Sequence, residues 1–406
     1  MFLPYASDLK PTKSPVITTG LIGVLTVVTI LVVFGGRFGW QWAGVEMLMR
    51  GGIVPAHFEA ITLLTSLFLH ESFGHLLVNV FYLATFGAGA EAALGRIRYA
   101  LLFLASGAIG GALQWLVVDT MLSPDQASVP IVGASAGCAG IIGLFAVRYY
   151  RTQIQFTYLK YRPPVVAVVG AFMAYEAVSG VWDLVTGAMG AGVAHWAHIG
   201  GFLFGLGYAQ ILNLGETGSR AYLSEDAQKA MRRSDPGDAI KRWEILLARE
   251  PNNAMARSEM ARAWLLLGDS EQAQTYFQQA ISAYLAQNKR AEAALLYAEM
   301  RETLPPQGFN ARDGELKSEQ LFMLGGALED LEQFPLAADT LRAVTIRAPD
   351  APEAEIALLK VISLYVHRLN RREEAGVLLR LFREKYPHSA WRSLAEDLRR
   401  ETEEAE

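Results

Sequence analysis

Hydrophobicity divides this sequence at about residue 215. Before that point, runs of Gly, Ala, Val, Leu and Phe extend with almost no charge, whereas beyond about residue 220 Glu, Arg, Gln, Ala and Leu dominate. About 20 consecutive apolar residues cross the hydrocarbon core of a bilayer, where a backbone must satisfy its polar groups internally. The 406-residue chain, 52% hydrophobic and 19% charged overall, therefore reads as a membrane half joined to a soluble helical half. Its net charge of −5 selects no partner class, and the absence of a basic stripe interleaved with aromatics argues against nucleic acid. A single cysteine, Cys138, excludes an internal disulfide and a multi-cysteine metal site. The first 15 residues lack the organisation of a signal peptide, and the apolar run after them is long enough to span a membrane.

Six stretches qualify as spans: Val16–Gly35, His75–Ala93, Ala100–Val118, Ile131–Val147, Pro164–Leu184 and Trp196–Leu214. Basic residues in the connections set the orientation. Lys10, Lys13, Arg96, Arg98, Arg148, Arg151, Lys160 and Arg162 fall on one side. The other side has Arg37 and Arg50 in its first loop and no Lys or Arg in 119–130 or 186–195. The expectation is a multi-pass protein of the cell (inner) membrane with both termini cytoplasmic. The long first outer loop, about 37–69, carries Trp40, Trp42, Val45, Leu48 and Met49, an amphipathic set suited to lying in the membrane interface.

Beyond about residue 221 the pattern is that of soluble helices. Ala239 and Ala273 are 34 residues apart in similar frames, and EQFPLAADTLRAVTIRAPDA is echoed by NRREEAGVLLRLFREKYPHSA with Pro349 and Pro387 in matching places. A period near 34 resembles tetratricopeptide repeats. The segment Asn288–Ser318 fits that period poorly, and a plain helical bundle is the alternative.

Three sets of polar residues interrupt the apolar spans, where such groups are costly. They are HESFGHLLVN (His70 to Asn79), GASAG (Gly133 to Gly137) and AHIGGFLFG (Ala197 to Gly205). In the predicted orientation the second, fourth and sixth spans run the same way. His75, Asn79, Ser135 and His198 each fall in the first turns of their span, so all four share one depth. A serine hydroxyl is a weak nucleophile until a base takes its proton, and imidazole suits that task. His75 and Asn79, at i and i+4, share a helix face, and both can donate hydrogen bonds to an oxyanion. The backbone N–H of Ser135 can add a third donor. Gly201 and Gly205 form a small-xxx-small pair, and Gly133, Gly137 and Gly140 flank Ser135, so the two backbones can approach closely.

Together these motifs resemble the rhomboid family of intramembrane serine proteases over roughly residues 15–215. The resemblance implies Ser135 as nucleophile, His198 as general base, and His75 and Asn79 as oxyanion donors. It also implies that His70, Gly133, Gly201 and Gly205 are structural near the site, and that Glu91 is structural at the cytoplasmic end of the second span. The sequence departs from the family pattern in three places: Ile61-Thr62 stands where a Trp-Arg pair is common, Ala136 where Gly often follows the nucleophile, and Ala139 where a Tyr often stacks on the catalytic histidine.

Blander readings stand beside these. Ser135 can be a packing serine between glycines, His195 is a rival base, and His75 with Asn79 can be a structural pair. A metal site from His70, His75, His195 and His198 lacks obvious carboxylates, so no metal and no cofactor is expected. Glu176 inside the fifth span is either functional or a bonded or protonated carboxylate. Cys138 reads as packing; Trp264, Tyr276 and Phe277 read as repeat core; His367 and His388 sit in no motif.

The expected architecture is all-α. It comprises an N-terminal tail (1–15), a six-helix protease domain (16–215), a linker (216–230) and cytoplasmic repeats (231–400). The expected activity is serine endopeptidase cleavage in or near transmembrane segments of other proteins, with the repeats binding a protein partner. A catalytically weak rhomboid-like membrane adaptor is the alternative. A transporter is disfavoured because the polar residues gather at one depth.

Overall fold

The computed structural model describes residues 4–9, 14–35, 44–157, 160–187, 189, 192–304 and 316–403. Lys10, Lys13, Arg37, Trp40 and Trp42 of the orientation and loop readings lie outside the described residues. The chain divides into two compact units, Met1–Ser219 and Arg220–Glu406.

The first unit is built from α1 (Val16–Phe34), α2 (Val45–Gly51), α3 (Thr62–Thr65), α4 (Phe73–Tyr82), α5 (Ala88–Leu94), α6 (Arg96–Met121), α7 (Ser135–Arg148), α8 (Val165–Thr186) and α9 (His195–Ile211). A π-helical turn, Leu83–Gly87, joins α4 to α5 into one 22-residue run. That run, α1, α6 and α8 are long and apolar enough to cross a membrane. The helices that open with Ser135 and His195 are shorter, at 14 and 17 residues.

The fourth apolar stretch was expected to be helical from Ile131. Instead Ile131 exchanges backbone hydrogen bonds with Ile53 (3.0 and 2.8 Å), which holds the chain extended, and the helix starts only at Ser135. A two-stranded antiparallel ribbon, β1 (Pro4–Ser7) with β2 (Ile154–Phe156), also departs from a purely helical expectation. It pairs edge groups that helix periodicity does not reveal.

Helix α7 is the centre of the unit. Every residue from Ala136 to Phe145 is buried, and a helix apolar on all sides belongs inside a bundle. It packs against α9, α6, α8, α5 and α4. At the periphery α1 and α8 leave Val24, Val27, Ile30, Val178, Val181 and Val185 exposed. Such apolar faces suit lipid contact.

Glu91, on α5, is a buried polar anchor. Its carboxylate accepts from the Ile17 N–H (3.0 Å), the Thr18 N–H (2.9 Å) and the Thr18 hydroxyl (2.9 Å). It therefore satisfies the open N–H groups at the start of α1 and opposes the positive end of that helix dipole.

The second unit is an array of antiparallel helices: α11 (Pro236–Arg249), α12 (Ala254–Leu266), α13 (Ser270–Ala286), α14 (Arg290–Thr303), α15 (Ser318–Asp330), α16 (Phe334–Arg347), α17 (Ala354–His367), α18 (Arg372–Lys385) and α19 (Arg392–Glu403). Each packs on the next. The 34-residue spacing is physical. Asp235 and Asp269 both cap helices by accepting from the third N–H (3.0 Å each), Ser234 and Gly268 both take positive φ in the preceding turn, and Trp243 and Phe277 are both fully buried. Part of Asn288–Ser318, the segment that fits the period poorly, forms α14, which buries Tyr297 and Met300. Residues 305–315 lie outside the described residues.

Residues 216–230, read as a linker, lie within α10 (Leu214–Arg232). The segment is polar, but Glu, Ala, Gln and Lys are good helix formers, and Glu225 pairs with Lys229 at i,i+4 (2.6 Å).

Replacing Glu91 by Ala leaves three donors at the start of α1 without their acceptor. Glu91→Ala is expected to cost about 3 kcal/mol, read as a fall in the thermal unfolding midpoint of the purified protein in detergent; an unchanged midpoint would contradict the anchoring role.

Candidate active site

Glycines let the backbones of α7 and α9 meet. A Cβ on Gly201 would overlap the Ala136 carbonyl, and one on Gly205 the Gly140 carbonyl. On α6, a Cβ at Gly110 would overlap the Ala197 carbonyl, so three helices converge at the same level. The start of α9 is also pinned from α6, where the buried Gln114 accepts from the Ala197 N–H (3.1 Å).

This packing brings Ser135, the first residue of α7, against His198 in the first turn of α9. Ser135 Oγ and His198 Nε2 are 2.8 Å apart, hydrogen-bonding distance for a hydroxyl that donates to an imidazole nitrogen. Ser135 and His198 line a cavity of about 700 Å³ with His75, Asn79, Tyr82 and Phe172. The four residues that the sequence placed at one depth thus share one cavity.

Helix α4 starts at the Ser72 cap, whose hydroxyl accepts from the His75 N–H (3.2 Å). The His75 ring is held by Glu71, with Nδ1 and Oε2 2.7 Å apart. It also lies against Gly133, where a Cβ would stand 2.6 Å from His75 Nε2. Gly133 has φ +124°, a backbone region that side chains disfavour, so both conformation and space require glycine here.

Asn79 is buried and donates from Nδ2 to His70 Nε2 (3.0 Å) and to the His75 carbonyl (3.3 Å), while its Oδ1 has no partner among the described residues. His70 is fully buried. Its Nδ1 faces the Thr29 hydroxyl (3.3 Å), which itself donates to the Leu25 carbonyl. That hydroxyl therefore accepts from Nδ1–H, leaving His70 Nε2 as the acceptor for Asn79 and for the more distant Ala134 N–H (3.5 Å). His70 ties α1, α4 and the loop before Ser135 together. Cys138 is buried within α7, with its sulfur 4.0 Å from the Asn79 carbonyl.

The residue that sequence reasoning left undecided is Glu176, on α8. Its Oε2 lies 2.7 Å from His195 Nδ1 and 2.9 Å from His198 Nδ1, and its side chain is only 2% exposed. The His195 contact is an aligned hydrogen bond; at His198 the distance is short but the N–H direction is off the oxygen. The rival base His195 thus faces Glu176 and the Tyr175 ring, whose centroid is 5.7 Å away. The signal available in the sequence was the carboxylate itself, in the middle of an apolar span. Its partner was not legible, because α8 and α9 have no common sequence register.

Glu176, His195 and His198 bring ligand atoms within 4.8 Å of one another, the one such group of three among the described residues. It is not the four-histidine set considered from sequence, and His198 Nε2 is already engaged by Ser135.

Residues 57–214 match the rhomboid domain family, and residues 256–284 match a tetratricopeptide repeat. Similar proteins include the RHOMBOID-like protein 6, mitochondrial, of Arabidopsis thaliana, 28% identical over 175 residues, which cover 40% of this chain and 51% of that protein. Rhomboid protein 1, mitochondrial, of Saccharomyces cerevisiae is 29% identical over 174 residues, covering 42% of this chain and 46% of the relative. Rhomboid-type serine protease 2 of Neurospora crassa is 24% identical over 207 residues, covering 49% and 69%. The chain spans about half the length of the first two of these relatives.

A side chain at Gly205 must push α9 off α7. Gly205→Val is expected to cost at least about 1–3 kcal/mol through overpacking and to separate Ser135 from His198. The readouts are the unfolding midpoint and the rate at which a fluorophosphonate probe labels Ser135; a variant with both unchanged would contradict the close approach.

Proposed function

The chain carries a rhomboid-family domain followed by a tetratricopeptide repeat, and on that premise we propose that it is an intramembrane serine endopeptidase that cuts in or near transmembrane segments of other membrane proteins. The observation that carries this reading is the 2.8 Å contact between Ser135 Oγ and His198 Nε2 in a cavity of about 700 Å³.

In the proposed reaction His198 Nε2 takes the Ser135 proton as Oγ attacks a peptide carbonyl carbon. The carbonyl oxygen becomes an oxyanion. The Ser135 N–H, at the start of a helix whose cap position is Ala134 with no side-chain cap, is aimed by position and favoured by the helix dipole for that charge. His75, whose Nδ1–H is taken by Glu71, supplies a second donor from Nε2 across the Gly133 backbone when its ring carries both protons. Asn79 supplies a third from Nδ2 once that group turns from His70. His198 then returns the proton to the leaving nitrogen as the C–N bond breaks, and water releases the acyl group by the reverse use of the same base. A substrate helix hides its carbonyls in hydrogen bonds, so it must unwind locally before attack.

We also propose a cell-membrane location with cytoplasmic termini; the basic residues of the connections support that orientation. The repeats are proposed to bind a protein partner, as stacked helix pairs offer a concave surface. A concavity of about 630 Å³ lined by Asn252, Met255, Tyr284 and Lys289 is one place for it.

The purified full chain in bilayers is expected to cleave a model single-span substrate. Ser135→Ala and His198→Ala should lower the rate by at least about 10³-fold, with EDTA without effect. Folded wild-type protein that cuts none of several substrates would favour the adaptor alternative. Removing residues after about 220 is expected to preserve cleavage of the model substrate and to change which substrates are cut in cells. A folded truncation without any activity would sink the platform reading.

A further inference from the structure

We propose that Glu176 is a positioning residue for catalysis, a buried carboxylate that orients His198 and stabilises its protonated form, so that the working unit is Glu176, His198 and Ser135. The inference rests on the protease reading above and extends it by a third member.

Three distances define the arrangement. Ser135 Oγ lies 2.8 Å from His198 Nε2, and His198 Nδ1 lies 2.9 Å from Glu176 Oε2. The same oxygen is held by His195 Nδ1 at 2.7 Å. A carboxylate that is 2% exposed on a membrane-spanning helix loses several kcal/mol of hydration unless partners replace the water. Here the replacements are two imidazole Nδ1 groups. The requirement works in both directions: the carboxylate needs the Nδ1 protons, and a proton on Nδ1 leaves Nε2 as the lone-pair nitrogen. Only that tautomer of His198 can accept from Ser135.

The benefit is largest in the transition state. As the Ser135 proton moves to Nε2 the imidazole, 13% exposed, becomes a cation beside the buried carboxylate. A fixed negative group beside it stabilises that charge far more than it would in water. His198 Nδ1 is buried and has no aligned acceptor in the resting arrangement. Hydrogen bonds of this kind tighten when substrate binds, and a small rotation of the ring turns the N–H onto Oε2.

Helix α8 holds the carboxylate in place. Phe172, one turn before Glu176, sets its ring 6.2 Å from the His198 ring. Gly180, one turn after, fits against Trp196, whose Nε1 would be 3.3 Å from a Cβ there. One face of α8 therefore packs on the start of α9 along two turns. Position 139 on α7 holds an alanine and offers the imidazole no ring; from α8, Phe172 does.

The test uses the full chain in bilayers with the model single-span substrate. kcat, KM and the unfolding midpoint are measured for wild type, Glu176→Gln, Glu176→Asp and Ser135→Ala. Glu176→Gln keeps shape and removes charge; kcat is expected to fall by about 10²–10⁴-fold with KM changed less than about threefold. Glu176→Asp should restore part of kcat, and fluorophosphonate labelling of Ser135 should follow the same order. A folded Glu176→Gln with wild-type kcat, or a loss confined to KM, overturns the inference while leaving the protease reading intact. Should Glu176→Gln fail to fold, an Asp variant with undiminished kcat overturns it as well, because retracting the carboxylate by a methylene would then cost nothing. Loss of wild-type cleavage in EDTA with recovery on added zinc overturns it in favour of a metal held by Glu176, His195 and His198. Cleavage that survives Ser135→Ala defeats the protease reading itself.

Discussion

The close approach of α7 and α9 is the contact on which the site depends. Helices packed through ordinary side chains lie 8–10 Å apart, whereas here Gly201 and Gly205 leave room for the carbonyls of Ala136 and Gly140 to press against the facing helix. Inside a bilayer lipid tails compete for apolar surface on equal terms, so close van der Waals packing of small residues is what drives two helices together. The same packing fixes the offset between the start of α7 and the first turn of α9. Ser135 meets His198 at 2.8 Å as a consequence of backbone contacts within the next two turns.

Four polar side chains in this apolar unit have particular solutions. Glu91 takes the open N–H groups of α1. Gln114 takes one from α9. His70 joins Thr29, Asn79 and the loop before Ser135. Glu176 takes the Nδ1 group of His195 and stands 2.9 Å from that of His198. The first three tie elements together; the fourth stands next to the reacting pair. A carboxylate shielded from water interacts with the imidazoles beside it over these short distances more strongly than it would at a surface. That strength makes the arrangement stable, and it also gives the carboxylate its leverage on the charge of His198.

The repeat unit follows a different logic. Its helices pack on sequence neighbours, so local signals suffice. A capping Asp, a positive-φ turn residue and a large buried aromatic recur 34 residues apart in Asp235/Asp269, Ser234/Gly268 and Trp243/Phe277. The part that fitted the period poorly still forms α14, because Ala293, Leu296, Tyr297 and Met300 supply a buried stripe of helical spacing.

Much of this protein was legible in one dimension, since the properties concerned are local. Long apolar runs require helices in a bilayer, small residues mark close packing, and a serine between glycines with histidines at matching depths marks a reactive cluster. Tertiary structure alone decided where the fourth helix begins, through the bridge between Ile53 and Ile131 that keeps the preceding residues extended. It decided that the donor of Asn79 rests on His70. Above all it decided the partner of Glu176. The sequence shows a costly carboxylate in an apolar helix and stops there, because the rotation of α8 about its axis is set by packing against α9. Only that packing turns Glu176 toward His195 and His198 instead of toward lipid.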